Sequence, residues 1–447
     1  MNPVFRFFSS LRLTVVLLAF SMVLVFFGTL DQVHWGIHET QKRYFESLYV
    51  FWQYPLEWPY GSQLRWFHLP LPGGFLLGGL LVINLACGHF RYFKSSWKKI
   101  GIILIHGGVV LLIISGFLIS FYQEESQMFL DEGGEPVNFS TDFRNNELVI
   151  INREDPTVDR VTSIPQSLLK PGRIIDLPDL PLSIRVEAFS ENAGAAIGPN
   201  LLKHYEHMQT NPQLPAAQKA EVTSALESLR EGDALVLDDE GRVVLNKGDL
   251  PLQGFASRMR GVLQEQPLTF EQDKVNIPGA VVTVLSETGP IGSWIVSSGF
   301  GENIPAQSFS YDGKNYEIEM RFLQHYYPFW IQLQDFSHDK YPGTEIPVNF
   351  SSDIVLKNPT TSEDRKVLIY MNHPLRYAGL TFFQQSFAND DTTSILQIVR
   401  NPAWTLPYIS VALVGIGMLI HFGISLVNFA TKQSKKARGA TGTTATT

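Results

Sequence analysis

The sequence contains a single cysteine, Cys87, in 447 residues. That excludes a disulfide framework within the chain, and with it any CxxC redox or zinc motif. A part of this chain exported to an oxidising compartment has to fold without disulfides. Positive charge is also short: 35 Lys and Arg stand against 43 Asp and Glu, a net charge of −8. This balance argues against a nucleic-acid surface. No GxSxG elbow, Walker loop, HExxH helix or GxGxxG turn in a βαβ setting occurs. Neither a nucleophile nor a nucleotide cradle is therefore marked. Carboxylates are numerous but no spacing singles out a catalytic pair, and no internal repeat is visible.

Four stretches almost lack charge altogether. Residues 13–30, 69–87, 101–121 and 406–429 are apolar and long enough to cross about 30 Å of hydrocarbon. The first has no small-residue cleavage site and aromatics follow it at once, so it reads as a retained helix rather than a signal peptide. The second is short, opens on Pro70 and Pro72, and carries Asn84. Basic residues set the topology. Arg6 and Arg12 precede the first span, Arg91, Lys94, Lys98 and Lys99 link the second to the third, and Lys432, Lys435, Lys436 and Arg438 follow the fourth. Four spans put all three clusters on one side, which the positive-inside rule makes the cytoplasm. Residues 31–68 and 122–404 then lie outside and both termini lie inside.

The fold class this implies is a membrane protein of four transmembrane helices plus a large extracytoplasmic β-rich domain with a partly helical insertion. Residues 1–121 form the N-terminal membrane region, 122–404 the outer domain, 405–430 the fourth span and 431–447 a polar, low-complexity tail expected to be disordered. Strand-like runs at 148–152, 182–189, 280–285, 316–322, 330–336, 353–356 and 367–371 are separated by Gly, Pro and Asn/Asp. Pro215 opens a helical stretch in which Val222, Leu226 and Leu229 share a face and Gly232 stands at its end. This marks 195–270 as the insertion. In the first outer loop Trp35, Trp52, Trp58 and Trp66 stand among tyrosines, and Tyr44, Leu48, Tyr49 and Trp52 recur at helical steps. That spacing predicts an amphipathic helix ended by Pro55 and Pro59, lying against lipid or a partner's helices.

One titratable side chain sits in the third span, His106 of GIILIHGGVVLLIISGFLISF. A polar group inside a membrane marks a functional site by default. A neutral imidazole there is either hydrogen-bonded to a neighbouring helix or a ligand to a metal or haem iron. His106 lies roughly 8 Å above the inner end of its span and His421 roughly 12 Å above the end of the fourth, at helical rise. The two share a depth and are candidates for one haem if their spans touch; otherwise they face different ways. His89 lies slightly lower, in the headgroup zone. Gly107 and Gly108 leave room beside His106, either for close helix packing or for a porphyrin face. His34 with His38, and His204 with His207, are each spaced for one helical face, as surface pairs or metal pairs. His325 reads as structural.

Two stretches are more specific: FSHDKYPGTEIPVNFSSDIVLKN at 336–358 and VLIYMNHPLRYAGLTFFQQSF at 367–387. With the third span and the aromatic loop, they make the chain resemble the ResB (Ccs1, CcsB) family of system II cytochrome c biogenesis proteins. The resemblance covers the four spans and the last 70 or so residues of the outer domain, and leaves the insertion unplaced. It implies a subunit of a cytochrome c synthetase complex, a haem lyase in which this chain is non-catalytic or co-catalytic. It also implies a CcsA/ResC-type membrane partner that carries the tryptophan-rich haem-handling segment. The pair moves haem b across the membrane and presents it to apocytochrome c, whose CxxCH thiols add to the vinyl groups. The family's third-span histidine corresponds to His106, an axial haem ligand, with the other ligand coming from the partner. By depth, His421 is the second candidate on this chain. Haem propionates suit the basic link at Arg91, Lys94, Lys98 and Lys99, although plain topology also explains that cluster. An edge strand of the β domain is fit to accept an extended segment of apocytochrome or partner. Asn372-His373-Pro374 reads as a turn fixed by Pro374, with a ligand role for His373 as the alternative. Two other functions fit the sequence: a b-type haem subunit of a membrane quinone oxidoreductase, and a cofactor-free, membrane-tethered binding scaffold.

Overall fold

A computed structural model describes residues 2–55, 58–64, 66–92, 99–155, 158–197, 275–300, 305–343, 347–389 and 391–441, with short stretches between 206 and 269. The chain divides into two compact units. The first comprises Met1–Glu125, Arg376–Phe382 and Val399–Thr447, the second Ser126–Leu375 and Phe383–Ile398.

The first unit is helical: α1 (Pro3–Phe8), α2 (Leu11–Thr40), the short α3 (Gly61–Leu64), α4 (Gly74–Tyr92), α5 (Ile100–Tyr122) and α6 (Leu406–Thr441). Four helical segments are long and apolar enough to cross a membrane: Leu11–Phe45, Gly74–Tyr92, Ile100–Tyr122 and Leu406–Ser434. Three boundaries differ from expectation. The second span begins at Gly74 rather than near 69, because Pro70 and Pro72 belong to strand β2 (His68–Pro72), paired antiparallel with β1 (Tyr49–Gln53). The amphipathic helix over 44–52 does not form. A π-helical turn, Gln41–Phe45, ends the preceding helix, and β1 buries Trp52 while exposing Tyr49 and Phe51. Its Tyr-Val-Phe-Trp run favours a pleated, half-buried surface over the helical spacing of its aromatics. Finally, α6 continues to Thr441 where a disordered tail was expected. Its Lys-rich end extends an existing helix and needs no new nucleus.

Small residues at steps of seven join α5 to α6. Gly101, Gly108 and Ser115 of α5 are buried, and so are Ser410 and Gly417 of α6. A Cβ added at Gly101 would lie 2.7 Å from Gly417 O and 2.7 Å from His421 N, and one at Gly108 would lie 2.8 Å from Ser410 O. One at Gly417 would in turn lie 2.7 Å from Gly101 O. The helices therefore run antiparallel with backbone against backbone. In lipid, where apolar side chains gain nothing by leaving the solvent, such close packing drives association.

Polar groups of this unit are matched to backbone left unpaired by helix breaks. Buried Asn84 of α4 donates to Phe8 O (2.7 Å) and Ser10 O (3.1 Å) and accepts from Thr14 Oγ1 (2.6 Å), all at the α1–α2 break. Arg91 donates to Arg6 O and to Ser9 Oγ at 2.8 Å. Buried Asp31 accepts from Tyr44 Oη (2.6 Å) and Trp52 Nε1 (3.1 Å), which ties the β1–β2 hairpin to α2.

The rest of the described chain is mainly β. Its strands are β3 (Glu124–Asp131), β4 (Val137–Asn152), β5 (Arg160–Pro165), β6 (Ile174–Asp176), β7 (Leu182–Ser190), β8 (Ala193–Ile197), β9 (Ala234–Leu237) and β10 (Val243–Lys247). They continue with β11 (Gly261–Glu265), β12 (Gly279–Ser286), β13 (Gly289–Ser297), β14 (Gln307–Tyr311), β15 (Lys314–Lys340) and β16 (Pro347–Asn358). The last are β17 (Glu363–Tyr370), β18 (Leu375–Tyr377), β19 (Leu380–Ala388) and β20 (Thr393–Arg400). The largest sheet has the order β17-β16-β15-β4-β3-β20-β19-β18, with β14 beside β15 and β5 beside β4. A second sheet, β13-β12-β7-β6, packs Ile184, Val282, Val284 and Trp294 with Leu148, Ile150 and Ile318 into one core. The insertion is more than helical, since β8 to β11 form a separate sheet in the order β10-β9-β11-β8. Val222 and Leu226 are buried there as expected, while Leu229 and Gly232 lie outside the described residues.

At the register shift of β15 between Phe322 and Gln324, Glu147 is buried against Arg321. Arg321 Nε donates to Glu147 Oε1 at 2.9 Å, Ser163 donates to the other carboxylate oxygen, and Arg321 also reaches Glu319 and Tyr326 Oη. Burial opposes the guanidinium's charge, but Tyr326, Glu147 and Glu319 outweigh it and hold its pKa above the ordinary value.

Two predictions follow from this packing. Gly101→Leu or Gly417→Leu forces the α5–α6 backbones apart and costs about 1–3 kcal/mol, whereas Gly116→Ala and Gly415→Ala, where an added Cβ meets nothing within 4 Å, leave stability unchanged or slightly raised; thermal melting of the purified chain in detergent separates the two classes. Arg321→Met strands a buried carboxylate and lowers stability by about 3–5 kcal/mol, and adding Glu147→Leu recovers most of the loss, as read by urea unfolding followed through tryptophan fluorescence.

Candidate functional site

The α5–α6 seam fixes the direction of His106. His106 follows Gly101 by five residues, which at about 100° per residue turns it roughly 140° from the glycine that meets α6. It therefore faces away from the seam, and its ring meets His89 of α4. The two ring centres are 5.5 Å apart with the planes crossed at 83°. The Nδ1 atom of His106 is buried and has no hydrogen-bond partner. A buried ring nitrogen left this way costs about 1–3 kcal/mol, and Thr40 Oγ1 of α2 is left in the same way. Glycines flank both rings, Gly88 before His89 and Gly107 after His106, and a Cβ built at either meets nothing within 4 Å. The sequence left open whether room beside His106 serves helix packing or a planar ligand. Gly108 serves packing, and Gly107 is exposed on the helix surface, where an added Cβ meets nothing within 4 Å.

The third and fourth spans do touch, and His421 enters that contact at Gly101 through its amide nitrogen and its Cβ. Its amide nitrogen lies over Gly101, and its ring packs edge-on to Phe422 at 5.8 Å. The imidazole brought to His106 is that of His89. The sequence does carry a signal for this pairing. Only residues 93–99 link α4 to α5, so His89 and His106 lie within a few turns of the link on facing helices. Of the basic residues near this link, Arg91 serves the α1–α2 break, while Lys94 and Lys98 lie outside the described residues.

The other histidines fall elsewhere. Gly36, at φ 65° and ψ 172°, kinks α2 between His34 and His38, which removes the shared face that regular spacing gave them. His204 lies outside the described residues and His207 is exposed. His325 sits in β15 opposite Ser140. His373 stacks on Tyr370 at 4.0 Å in a turn whose Asn372 has φ 63°, an architectural role for the Asn-His-Pro element. Among the described residues no group of three or more His, Cys, Asp or Glu is placed to hold a metal ion. Of the loop tryptophans, Trp52 is buried against Phe27 at 4.7 Å and Trp35 lies under Arg43, while Trp66 is 74% exposed.

In the second unit the sequence pointed to residues 336–358 but not to the part His338 plays in them. Its Nδ1 lies 2.9 Å from Asp391 Oδ1, its ring packs on Phe387 at 4.3 Å, and its Nε2 is buried with no hydrogen-bond partner. No regular spacing announces this pair, because 53 residues separate its members. A cavity of about 300 Å³ in the same unit is lined by Thr141, Ser298, Phe300, Gln307, Arg321 and Gln324, among others.

These features can be set beside known proteins. Residues 293–401, which run from the middle of β13 through β20, match the ResB-like family. The chain is also similar to Protein NrfI of Wolinella succinogenes, with 33% identity over 92 residues. That alignment covers 21% of this chain and 10% of the relative, so the chain accounts for about a tenth of that protein's length. The likeness to the ResB-like family is thus carried by the segment 293–401.

Proposed function

We propose that this protein acts in cytochrome c biogenesis, as a membrane subunit that helps carry haem b across the membrane and present it with apocytochrome c for covalent attachment. The match of residues 293–401 to the ResB-like family supports the process, and four apolar helices support a multi-pass membrane subunit. The observation that carries the haem reading is the orphaned Nδ1 of His106, a buried imidazole nitrogen on an apolar helix. A haem iron takes an imidazole nitrogen as axial ligand, so the residues present fit the group. Haem, when bound, supplies the iron that such a ligand holds and the vinyl groups to which cytochrome thiols add. The chain's own contribution is to hold and orient: the α5–α6 seam fixes the helix carrying His106, and the apolar faces around it exclude water.

On this reading the protein lies in the cytoplasmic membrane with its β-rich unit outside and both termini inside, as Arg6, Arg12, Arg91, Lys432 and Lys436 favour. Its partner is a CcsA/ResC-type membrane protein that supplies the tryptophan-rich attachment segment. The β-rich unit binds an extended segment of apocytochrome or partner along a sheet edge.

The test is to co-express the chain with such a partner, purify the complex and read bound haem by absorbance. His106→Ala is expected to retain at least about tenfold less haem than wild type, since even a metal's outer hydrogen-bond partners are worth about 10–100-fold. His421→Ala is expected to match wild type. Undiminished haem with an unchanged spectrum in His106→Ala would overturn the assignment.

A further inference from the structure

We infer that the β1–β2 hairpin is a membrane-surface element whose outward aromatic face beds into the headgroup–acyl boundary of a phospholipid leaflet. This placement requires only that the apolar helices cross a membrane, and it stands apart from the haem reading.

The flanking helices hold the hairpin at bilayer depth. Gly36, at φ 65° and ψ 172°, turns the chain back along α2, so that Tyr44 and Phe45 lie against Gly28 and Tyr44 Oη reaches Asp31. The hairpin continues at that level: Val50, Trp52, Leu69 and Leu71 pack with Leu24 and Phe27 of α2 and Leu77 of α4. Leu24, Phe27 and Asp31 stand 12, 15 and 19 residues past Arg12, about 18, 22 and 28 Å along the helix. Hydrocarbon is about 30 Å thick, so the strands lie beside its far edge. Only Gly73 separates β2 from α4. No linker remains with which the hairpin could rise clear of the bilayer.

The side turned away from the helices is apolar and aromatic. Tyr49 and Phe51 alternate with the packed residues and are 67% and 59% exposed, and Trp66 just before β2 is 74% exposed. From Leu48 to Pro72 the sequence carries only two charged residues, Glu57 and Arg65. Tyrosine and tryptophan favour the layer where acyl chains meet headgroups, because one end of each ring is apolar and the other polar.

The backbone favours lipid over an added strand. Gly73 N donates to Leu48 O, and Tyr54 N donates to Phe67 O. Bonded and outward-facing pairs alternate along an antiparallel ladder. Between those two bonds, the pairs Tyr49 with Pro72, Phe51 with Pro70 and Gln53 with His68 are therefore the outward ones. Of the three β2 positions whose amides turn away from β1, the two nearer the α4 span are prolines, which have no N–H. That edge cannot be extended by another strand at Pro70 or Pro72, and at those positions it leaves no donor unpaired in lipid.

The experiment uses the full chain carrying Cys87→Ser, reconstituted in phosphatidylcholine vesicles. Single cysteines introduced as Phe51→Cys and Trp66→Cys are spin-labelled, and their collisions with oxygen, which partitions into lipid, are compared with those with a water-soluble nickel chelate. Both positions are already exposed, and circular dichroism against wild type verifies the fold. Met22→Cys, 75% exposed on α2 and about 15 Å past Arg12, is the lipid reference. Val158→Cys, 60% exposed before β5, is the aqueous reference. The Phe51 and Trp66 labels are expected to show an oxygen-to-nickel ratio several-fold above that of Val158 and below that of Met22. A ratio equal to that of Val158 would place the face in water and overturn the inference. Shielding from both reagents would overturn it too, since protein, either a second copy or a co-purified membrane partner, would then cover the face.

Discussion

The approach of α5 to α6, backbone against backbone at Gly101, Gly108 and Gly417, is the constraint on which the rest of the membrane unit depends. Two helices this close cannot rotate about their axes without driving side chains into main chain. The orientation of every residue on α5 follows from that lock, including the direction of His106. Gly107, one residue from the packed Gly108, is exposed on the helix surface because of the same rotation.

Against that scaffold, the treatment of polar groups is uneven in an instructive way. Asn84, Asp31 and Arg91 lie in or beside apolar helices, and each has good hydrogen bonds that close a helix break or tether the hairpin. In low-dielectric surroundings an unpaired polar atom is costly, and these three follow that rule. The Nδ1 of His106 departs from it, and in the β-rich unit so does Nε2 of His338, whose other nitrogen is held by Asp391. Buried Glu147 shows the ordinary arrangement by contrast, with its carboxylate shared between Arg321 and Ser163. The Oγ1 of Thr40 in α2 and Nε1 of Trp294 in β13 are left unpartnered in the same way.

The family match and the candidate haem site fall in different parts of the chain. Residues 293–401 lie almost wholly in the β-rich unit, whereas His106 lies in the helical one. The matched segment contains the His338–Asp391 pair, the stacked Tyr370–His373 turn and the strands from β14 to β20. The likeness is thus to the β-rich unit. The haem-holding reading depends on the physics of one apolar helix pair.

Four membrane-length helices and a β-rich middle were legible in the sequence, because hydropathy and period-two patterning are local properties and each helix or strand carries its own. His106 was legible as a candidate for the same reason, since one imidazole in an uncharged run needs no partner to be noticed. The strand over 49–53 was hidden: its aromatics fit helical spacing equally well, and only pairing with His68–Pro72 decided between the two. The sheet within the insertion was hidden because its strands pair across tens of residues. Depth alone could rank His421 beside His106, but depth carries no angle. Which imidazole meets His106 depends on how α5 is rotated, and that rotation is set by contact between helices far apart in the chain. The sequence by itself determined which segments are apolar and which residue types they carry; the tertiary structure decided which faces meet, because a helix presents all its sides equally until another helix packs against one of them.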